Sequence, residues 1–284
     1  MNILGLHTFA FAPQWEIERI EPHIEQAKEF GVRLIEIPII RPQRFDARRG
    51  RAFADRWSLE LACSTSLPAS VDVLDQPGDG LDFLTPVLQA CAEMGAPSLG
   101  GMVYGCLGRT AGRAPSDAEA DKLCRFLDRA ARLAKSFGLK LGLAPHNRYE
   151  THLVNRVSDA VRIIERIGAE NIVVHLDTFH MNIEERSFAS ALDKAAPHLA
   201  YVTLSESNRG VPGQGMLDWP TALKAIADFG YRGPLTVMAP NHVDPELAAG
   251  LAIWPTAARR TDDVVELGLP FIRDEAKKAG LSTT

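Results

Sequence analysis

Hydrophobic residues recur in short runs along the chain, and longer segments of mixed polar and apolar residues separate these runs. The short runs are rich in aliphatic and β-branched residues, which predicts eight strands: NILGLH, VRLIEIP, SLELACST, PSLGGMVY, LKLGLA, NIVVHLD, LAYVTLS and PLTVMA. The longer segments have the spacing of helices and include EIERIEPHIEQAKEFG, LDFLTPVLQACAEMG, DAEADKLCRFLDRAARLAKSFG, VSDAVRIIERIG and PTALKAIADFG. All five end at a glycine, the residue best suited to a left-handed helix terminus: Gly31, Gly95, Gly138, Gly168 and Gly230.

The predicted strands are apolar at nearly every position, which is typical of a parallel sheet covered by helices. Eight strand and helix units in 284 residues predict an α/β fold, a closed (β/α)8 TIM barrel. An open, doubly wound sheet is the alternative, but the segment after the first strand, GLHTFAFAPQW, lacks the glycine-rich turn of that fold. No linker or low-complexity segment divides the chain, so we expect a single domain over residues 1–284.

Composition and charge narrow the range of partners. The chain has 31 Lys and Arg against 36 Asp and Glu, and a formal net charge of −5 gives no attraction for nucleic acid or an anionic membrane. No apolar run approaches the roughly 20 residues that a membrane-spanning helix requires. The opening segment has no basic region before its apolar run, and the four cysteines form no CxxC pair. We therefore expect a cytoplasmic protein that binds a small neutral or weakly charged molecule.

Polar residues follow the fifth and sixth predicted strands, at the end of a TIM barrel where functional residues lie. The segment LGLAPHNRYETH supplies His146 and Glu150, although its strand ends on Ala144. In HLDTFHMNIEE, Asp177 and His180 are three residues apart and can face the same pocket. Asp177 could instead cap the following helix, but the polar residues at neighbouring strand ends favour the functional interpretation.

The other strand ends supply further candidates. His7 and Glu36 belong to the first two strands, where each could equally be a barrel-lining residue satisfied by a neighbour. After the seventh strand, Glu206 and Arg209 precede a loop rich in glycine and proline, and we interpret Arg209 as a ligand clamp. The eighth strand ends on a second alanine and is followed by His242.

Several of these segments resemble one family of proteins. The opening LGLHTFAF and the motifs NRYETHLVN, HLDTFHMNIEE and SESNRGVPG are similar to the xylose-isomerase-like barrels of sugar isomerases and epimerases. The similarity is greatest to the ketose 3-epimerases of the tagatose and psicose group, and it extends as far as LAIWP. It implies a TIM barrel, a sugar-like substrate and a homodimer or homotetramer.

The resemblance also implies a metal site, which this chain retains only in part. In the family a divalent ion, usually Mn²⁺, is held by Glu, Asp, His and Glu after strands five to eight, and the two Glu residues act as acid and base. The four positions fall on Ala144, Asp177, Thr203 and Ala239. One carboxylate and one hydroxyl cannot hold Mn²⁺ against water. We therefore predict no metal cofactor and no epimerisation of the family's kind.

The residues that grip the sugar hydroxyls in the family are kept, as Glu150, His180 and Arg209. One hypothesis is therefore a metal-independent isomerase or lyase acting on a sugar-like, polyoxygenated molecule. Its predicted catalytic residues are His146, Asp177, His180 and Glu206. Its predicted substrate-binding residues are Glu150, His180, Arg209, His7, Glu36 and His242.

Two other hypotheses remain open. The chain could be a non-catalytic binding protein or pseudoenzyme, or an epimerase whose active site was removed by substitution. It could instead hold a metal at a shifted site made of His146, Asp177 and His242, optionally joined by Glu206. Mixed histidine and carboxylate ligands would suit Zn²⁺ or another transition metal.

Overall fold

Eight parallel strands form a closed barrel in the computed structural model, which describes residues 1–241, 245–253, 260 and 262–283, without the side chains of 246 and 247. The strands follow one another around the barrel in sequence order. They are β1 (Leu4–His7), β2 (Val32–Pro38), β3 (Glu60–Ser66), β4 (Ser98–Met102), β5 (Lys140–Leu143), β6 (Ile172–Asp177), β7 (Leu199–Ser205) and β8 (Leu235–Met238). All eight predicted strands are confirmed, and the fold is a (β/α)8 TIM barrel.

Parallel pairing of β1 with both β2 and β8 closes the barrel. The register brings the carboxyl-terminal ends of the strands to one rim. His7 of β1 lies opposite Glu36 of β2, and Asp177 of β6 lies opposite Thr203 of β7. Candidate residues that are far apart in the sequence therefore meet at this rim.

Helices follow the strands and cover the barrel. They are α1 (Ile17–Ile20), α2 (Ile24–Glu29), α3 (Ala47–Trp57), α4 (Pro77–Met94), α5 (Asp117–Ser136), α6 (Val157–Ile167), α7 (Thr178–Glu184), α8 (Phe188–Ala195), α9 (Trp219–Asp228), α10 (Pro245–Leu251) and α11 (Leu269–Lys278). A π-helical turn at Val264–Gly268 leads into α11. Within the described ranges, no helix has the length and apolar character needed to cross a membrane.

All five helical segments predicted from the pattern are present, and the first of them is divided. The predicted helix over residues 16–31 is divided into α1, a 3-10 turn at Glu21–His23 and α2, because Pro22 has no N–H to continue the helical hydrogen bonds. Helices α3, α8, α10 and α11 are not among the predicted segments. Helix α3 has few apolar residues, and the side chain of Asp46 caps it by accepting from Arg49 N at 3.1 Å. The five glycines predicted to end helices all have positive φ: Gly31, Gly95, Gly138, Gly168 and Gly230.

A histidine ring occupies the interior of the barrel. His175 of β6 stacks on Tyr201 of β7, with the ring centroids 4.7 Å apart. A Cβ atom at Gly100 of β4 would lie 2.1 Å from Nδ1 of His175, and one at Gly142 of β5 would lie 2.5 Å from its Cδ2. Neither strand could carry a larger residue here without moving the ring. The two glycines therefore make room for a neighbouring side chain.

Candidate functional site

A cavity of about 720 Å³, counting its opening to solvent, lies at the carboxyl-terminal ends of the strands. The predicted site residues that line it are His7, Glu36, His146, Asp177, His180 and Arg209. Its apolar lining includes Phe9, Met102, Leu107, Met238 and Leu251. Glu150 and Glu206 do not line the cavity. His242 lies outside the residues that the structure describes, and so does part of the shifted metal site that depends on it.

Asp177 is the last residue of β6 and the N-cap of α7. Its Oδ1 accepts from Phe179 N at 2.8 Å, and its Oδ2 accepts from Ser205 Oγ at 3.0 Å. Burial raises the pKa of Asp177 to about 6, although the nearby charge of Arg209 and these hydrogen bonds oppose the shift. A carboxyl with this pKa can gain or lose a proton near neutral pH, which an acid or base catalyst requires.

The three other positions of the implied metal site offer few donors. Ala144 follows β5 and Ala239 follows β8, and each side chain is a methyl group without a ligand atom. Thr203 lies within β7 opposite Asp177 and lines the cavity, as does Ala144. The side chains of this set supply one carboxylate and one hydroxyl, and both carboxylate oxygens already accept hydrogen bonds.

Glu150 and Arg209 form a buried ion pair beside the cavity. The guanidinium of Arg209 also lies over the ring of Phe179, 4.1 Å from its centroid, and Asn147 Nδ2 donates to Glu150 Oε1 at 2.9 Å. Arg209 has a φ of 56°, a conformation that costs a residue with a side chain about 1–3 kcal/mol. Glu150 Oε2 and Arg209 Nε are buried without a hydrogen-bond partner in the described part of the chain. Backbone strain and unsatisfied polar atoms together are typical of a preorganised ligand site.

Two histidine rings lie side by side in the cavity wall. The ring centroids of His146 and His180 are 4.4 Å apart. His146 Nδ1 lies 2.9 Å from the carbonyl oxygen of Ala144, and His180 Nδ1 accepts from the backbone N–H of Asn147 at 3.0 Å. Burial lowers the pKa of both imidazoles, so both rings are neutral at neutral pH.

His146, Glu150 and His180 also form a cluster in which one potential ligand atom of each residue lies within 4.8 Å of the others. Two atoms of this cluster already have partners, whereas Glu150 Oε2 has none among the described residues. Nδ1 of His180 already accepts from Asn147, and Oε1 of Glu150 is paired with the guanidinium of Arg209. A metal ion here would compete with that positive charge and with those donors.

His7 and Glu36 form part of the cavity floor. His7 Nδ1 accepts from Phe9 N at 3.1 Å, and His7 Nε2 lies 3.6 Å from Glu36 Oε1. Burial lowers the pKa of His7, and the charge of Glu36 partly offsets this effect. Tyr201 donates to Glu36 Oε2 at 2.8 Å. Both side chains therefore fit the alternative interpretation, in which they line the barrel and are satisfied by neighbouring groups. Both also face the cavity.

His175 extends this floor with Tyr201 stacked against it, and neither residue is among the sequence-predicted candidates. His175 lines the cavity, and its Nε2 is buried without a partner among the described residues. Burial lowers the pKa of His175 to about 4. The signal available in the sequence was a polar residue two positions before Asp177, which alternation along a strand places on the same inner face.

Glu206, which the sequence predicts as a catalytic residue, makes its hydrogen bonds away from the cavity. Its side chain is fully buried outside the cavity, and its carboxylate accepts from four N–H groups, three in the loop that follows β7 and one on the first residue of α9. The donors are Ser207 N at 2.8 Å, Gly213 N at 2.9 Å, Leu217 N at 3.0 Å and Trp219 Nε1 at 2.8 Å. Burial alone would raise the pKa of Glu206, but these four donors outweigh it and lower the pKa. The carboxylate therefore organises the loop, and it has no free lone pair facing a substrate.

Comparison with known proteins agrees with this architecture. Residues 24–261 match the family model described as xylose isomerase-like TIM barrel. A ketose 3-epimerase of Arthrobacter globiformis is 30% identical in an alignment 284 residues long, which covers 96% of this chain and 96% of that protein. An L-ribulose 3-epimerase of Methylomonas sp. is 29% identical over 275 residues, covering 95% of this chain and 96% of that protein. The crystal structure of D-allulose 3-epimerase from Methylomonas sp. in complex with D-allulose has a TM-score of 0.89 and 28% identity, covering 96% of this chain and 97% of that one.

Proposed function

Because this chain belongs to the xylose isomerase-like TIM barrel family and is homologous to ketose 3-epimerases, we propose that it binds a sugar-like, polyoxygenated molecule in the barrel cavity. We further propose that it acts on this molecule as an isomerase or lyase without a divalent metal ion. The relatives named above are sugar epimerases, which supports the substrate class. The polar lining of the cavity supports it independently, because convergent hydrogen-bonding groups are what a molecule with many hydroxyls requires.

The observation that carries the metal-free proposal is the donor set beside Asp177. Ala144 and Ala239 contribute methyl groups, and Thr203 contributes a single hydroxyl. Mn²⁺ prefers an octahedral set of oxygen and nitrogen ligands, so these residues do not fit the ion that the family resemblance implies. The acid and base carboxylates of that chemistry are missing at the same two alanines, so we derive no catalytic step through a metal.

The proposed binding residues are those that meet around the ion pair. His180 and Arg209 line the cavity and can donate to substrate oxygens, while Glu150 holds the guanidinium from behind. His7 and Glu36 would bind hydroxyls at the floor of the cavity. The predicted contribution of His242 remains a prediction.

The proposed acid and base groups are His146, Asp177 and His180. All three line the cavity. Burial lowers the pKa of the two histidines and raises that of Asp177, so it favours the neutral form of each residue. Glu206 is left out because its acceptor capacity is used within its own loop. Ala144 lines the cavity with a methyl group where the family resemblance implies a carboxylate, which leaves room for a substrate bulkier than a simple ketose.

The test is a panel of ketoses, aldoses and glycosides, measured for turnover and for ligand-induced shifts in melting temperature. The proposal predicts turnover that survives chelation and disappears in His180→Ala and Arg209→Ala. Thermal shifts without any product would instead indicate a binding protein. Turnover that depends on stoichiometric metal would contradict the metal-free proposal.

A homodimer or homotetramer remains our prediction for the assembly, and sedimentation equilibrium would test it.

A further inference from the structure

The hydrogen bonds of His146 fix which of its ring nitrogens carries the proton. Nδ1 lies 2.9 Å from the backbone carbonyl oxygen of Ala144. A carbonyl oxygen can only accept, so the neutral ring must carry its hydrogen on Nδ1. The Nε2 of His146 is then a free lone pair, and no residue of the described chain donates to it.

His180 has the opposite arrangement. Its Nδ1 lies 3.0 Å from the backbone nitrogen of Asn147, and a backbone N–H can only donate. The side-chain Nδ2 of Asn147 lies at the same distance of 3.0 Å. Nδ1 of His180 therefore carries the lone pair, and Nε2 carries the hydrogen. Within the described residues, nothing accepts from this Nε2–H group.

The two rings thus present complementary groups to the same cavity. Both residues line it, and their ring centroids are 4.4 Å apart. The groups that fix the two protonation patterns, the carbonyl of Ala144 and the amide of Asn147, belong to one short segment after β5. Arg209 lines the cavity as well and supplies a permanent positive charge.

We propose that His146 is a general base and that His180 is a neutral electrophile, which together replace the metal ion and the missing carboxylates. This assignment rests on the proposed function, because it requires a substrate with a carbonyl group beside a hydroxyl-bearing carbon. His146 Nε2 removes the proton from that carbon. His180 Nε2–H and the guanidinium of Arg209 bind the carbonyl oxygen as it becomes negative.

The step balances without any further reactant. The C–H bond breaks, its electron pair forms a carbon–carbon double bond, and the carbonyl π pair moves to oxygen, giving an enediolate and protonated His146. Return of this proton to the former carbonyl carbon, with transfer of the hydroxyl proton to the adjacent oxygen, re-forms the carbonyl one carbon along. Because His146 both removes and returns the proton, the proton leaves and arrives on one face of the substrate, and the step is an isomerisation without inversion of a carbon.

The first experiment measures the protonation pattern directly, in the full-length protein labelled with ¹⁵N-histidine. Long-range ¹H–¹⁵N spectra at neutral pH should show hydrogen on Nδ1 of His146 and on Nε2 of His180. His146→Gln and His180→Gln assign the signals. Asn147→Ala is the matched control, because it keeps the backbone N–H and should leave the pattern of His180 unchanged. The reverse pattern, or a doubly protonated ring, would overturn the proposal.

The second experiment uses glycolohydroxamate, a stable mimic of an enediolate, and measures its binding by calorimetry. His180→Gln should weaken binding by about tenfold to a hundredfold, because a donor to a negatively charged oxygen is lost. His146→Gln should bind the mimic with an affinity close to that of the unmodified protein. Equal affinity in His180→Gln, or no binding to the unmodified protein, would overturn the electrophile assignment. A sugar panel without any response would instead refute the proposed function, while the NMR pattern would be unaffected.

Discussion

The indole Nε1 of Trp219 donates a 2.8 Å hydrogen bond to Oε2 of Glu206, in the loop that leads from β7 to α9. The same oxygen accepts from Gly213 N, and the other oxygen accepts from two further backbone N–H groups. The loop is therefore organised around one buried carboxylate. Arg209, which lines the cavity, belongs to this loop.

We expect Glu206→Gln to destabilise the protein by about 2–4 kcal/mol, because the amide NH₂ would face two N–H donors in a buried site. Urea unfolding measures the change. Glu165→Gln is the matched control, since Glu165 is exposed on α6 and should change stability by no more than about 0.5 kcal/mol. Equal effects of the two substitutions would contradict the structural role of Glu206.

Asp177 should make stability depend on pH. Its folded-state pKa of about 6 lies above its ordinary value of 3.8, so the folded protein binds this proton more tightly than the unfolded chain. The contribution of Asp177 to the free energy of unfolding therefore falls as the pH rises from about 4 to about 6 and is constant above that range. Asp177→Asn keeps a capping oxygen and removes the titration. We subtract the free energy of unfolding of the unmodified protein from that of Asp177→Asn. This difference should be about 2–3 kcal/mol larger at pH 8 than at pH 4.

Urea unfolding of both proteins at pH 4 and pH 8 would measure this difference. The comparison between the two pH values removes any constant effect of the amide on packing. A stability difference that is independent of pH would show that the carboxyl titrates near its ordinary value.

Substitutions of Arg209 should separate backbone strain from charge. Arg209→Ala and Arg209→Gly both leave the buried Glu150 without its guanidinium, which costs about 3–5 kcal/mol. Glycine tolerates the φ of 56° that alanine does not, so Arg209→Gly should be about 1 kcal/mol more stable than Arg209→Ala. Chemical unfolding of the two variants gives this difference, and the opposite order would contradict the strained conformation.

Mn²⁺ should not raise the melting temperature of the unmodified protein, because Ala144, Thr203 and Ala239 supply too few ligands. The combined variant Ala144→Glu, Thr203→His and Ala239→Glu restores the ligand types that the family resemblance implies around Asp177. This variant should show a saturable increase in melting temperature with Mn²⁺. A saturable increase in the unmodified protein would refute the metal-free proposal.

Gly100→Ala should destabilise the barrel by about 1–3 kcal/mol, because the added Cβ would lie 2.1 Å from the His175 ring. Gly78→Ala is the control, since no atom lies within 4 Å of its added Cβ and α4 favours alanine at this position. The control should be neutral or stabilising by about 0.5–1 kcal/mol. Thermal unfolding of both variants would measure the contrast, and equal stability would mean that His175 moves aside without cost.

The strands of the barrel could be predicted because each is a short apolar run that is buried on both faces. Helix α3 could not be predicted in the same way, because its few buried residues, among them Phe53 and Ala54, are separated by arginines and an aspartate. The five terminal glycines were predictable because a left-handed helix end depends on local sequence alone.

The candidate site was predictable only in the positions of its residues. The parallel barrel places strand ends on one rim, so Asp177 and His180 could be assigned to the cavity from the sequence. The direction of a side chain depends on partners that are distant in sequence. Tyr201 donates to Glu36, 165 positions away, and no local pattern reports this contact. The loop interactions of Glu206 likewise depend on a tertiary conformation that its neighbours in sequence do not specify.

The segment from Ala144 to Asn147 has an evolutionary consequence, because it acts on the two rings through main-chain atoms. Replacing the side chain of residue 144 leaves its carbonyl oxygen in place, and the same holds for the amide nitrogen of residue 147. A lineage could therefore lose the strand-five metal ligand by point mutation while the proton pattern of the imidazole pair persisted. In such a lineage the imidazole pair would already be in place when the metal ligand was lost.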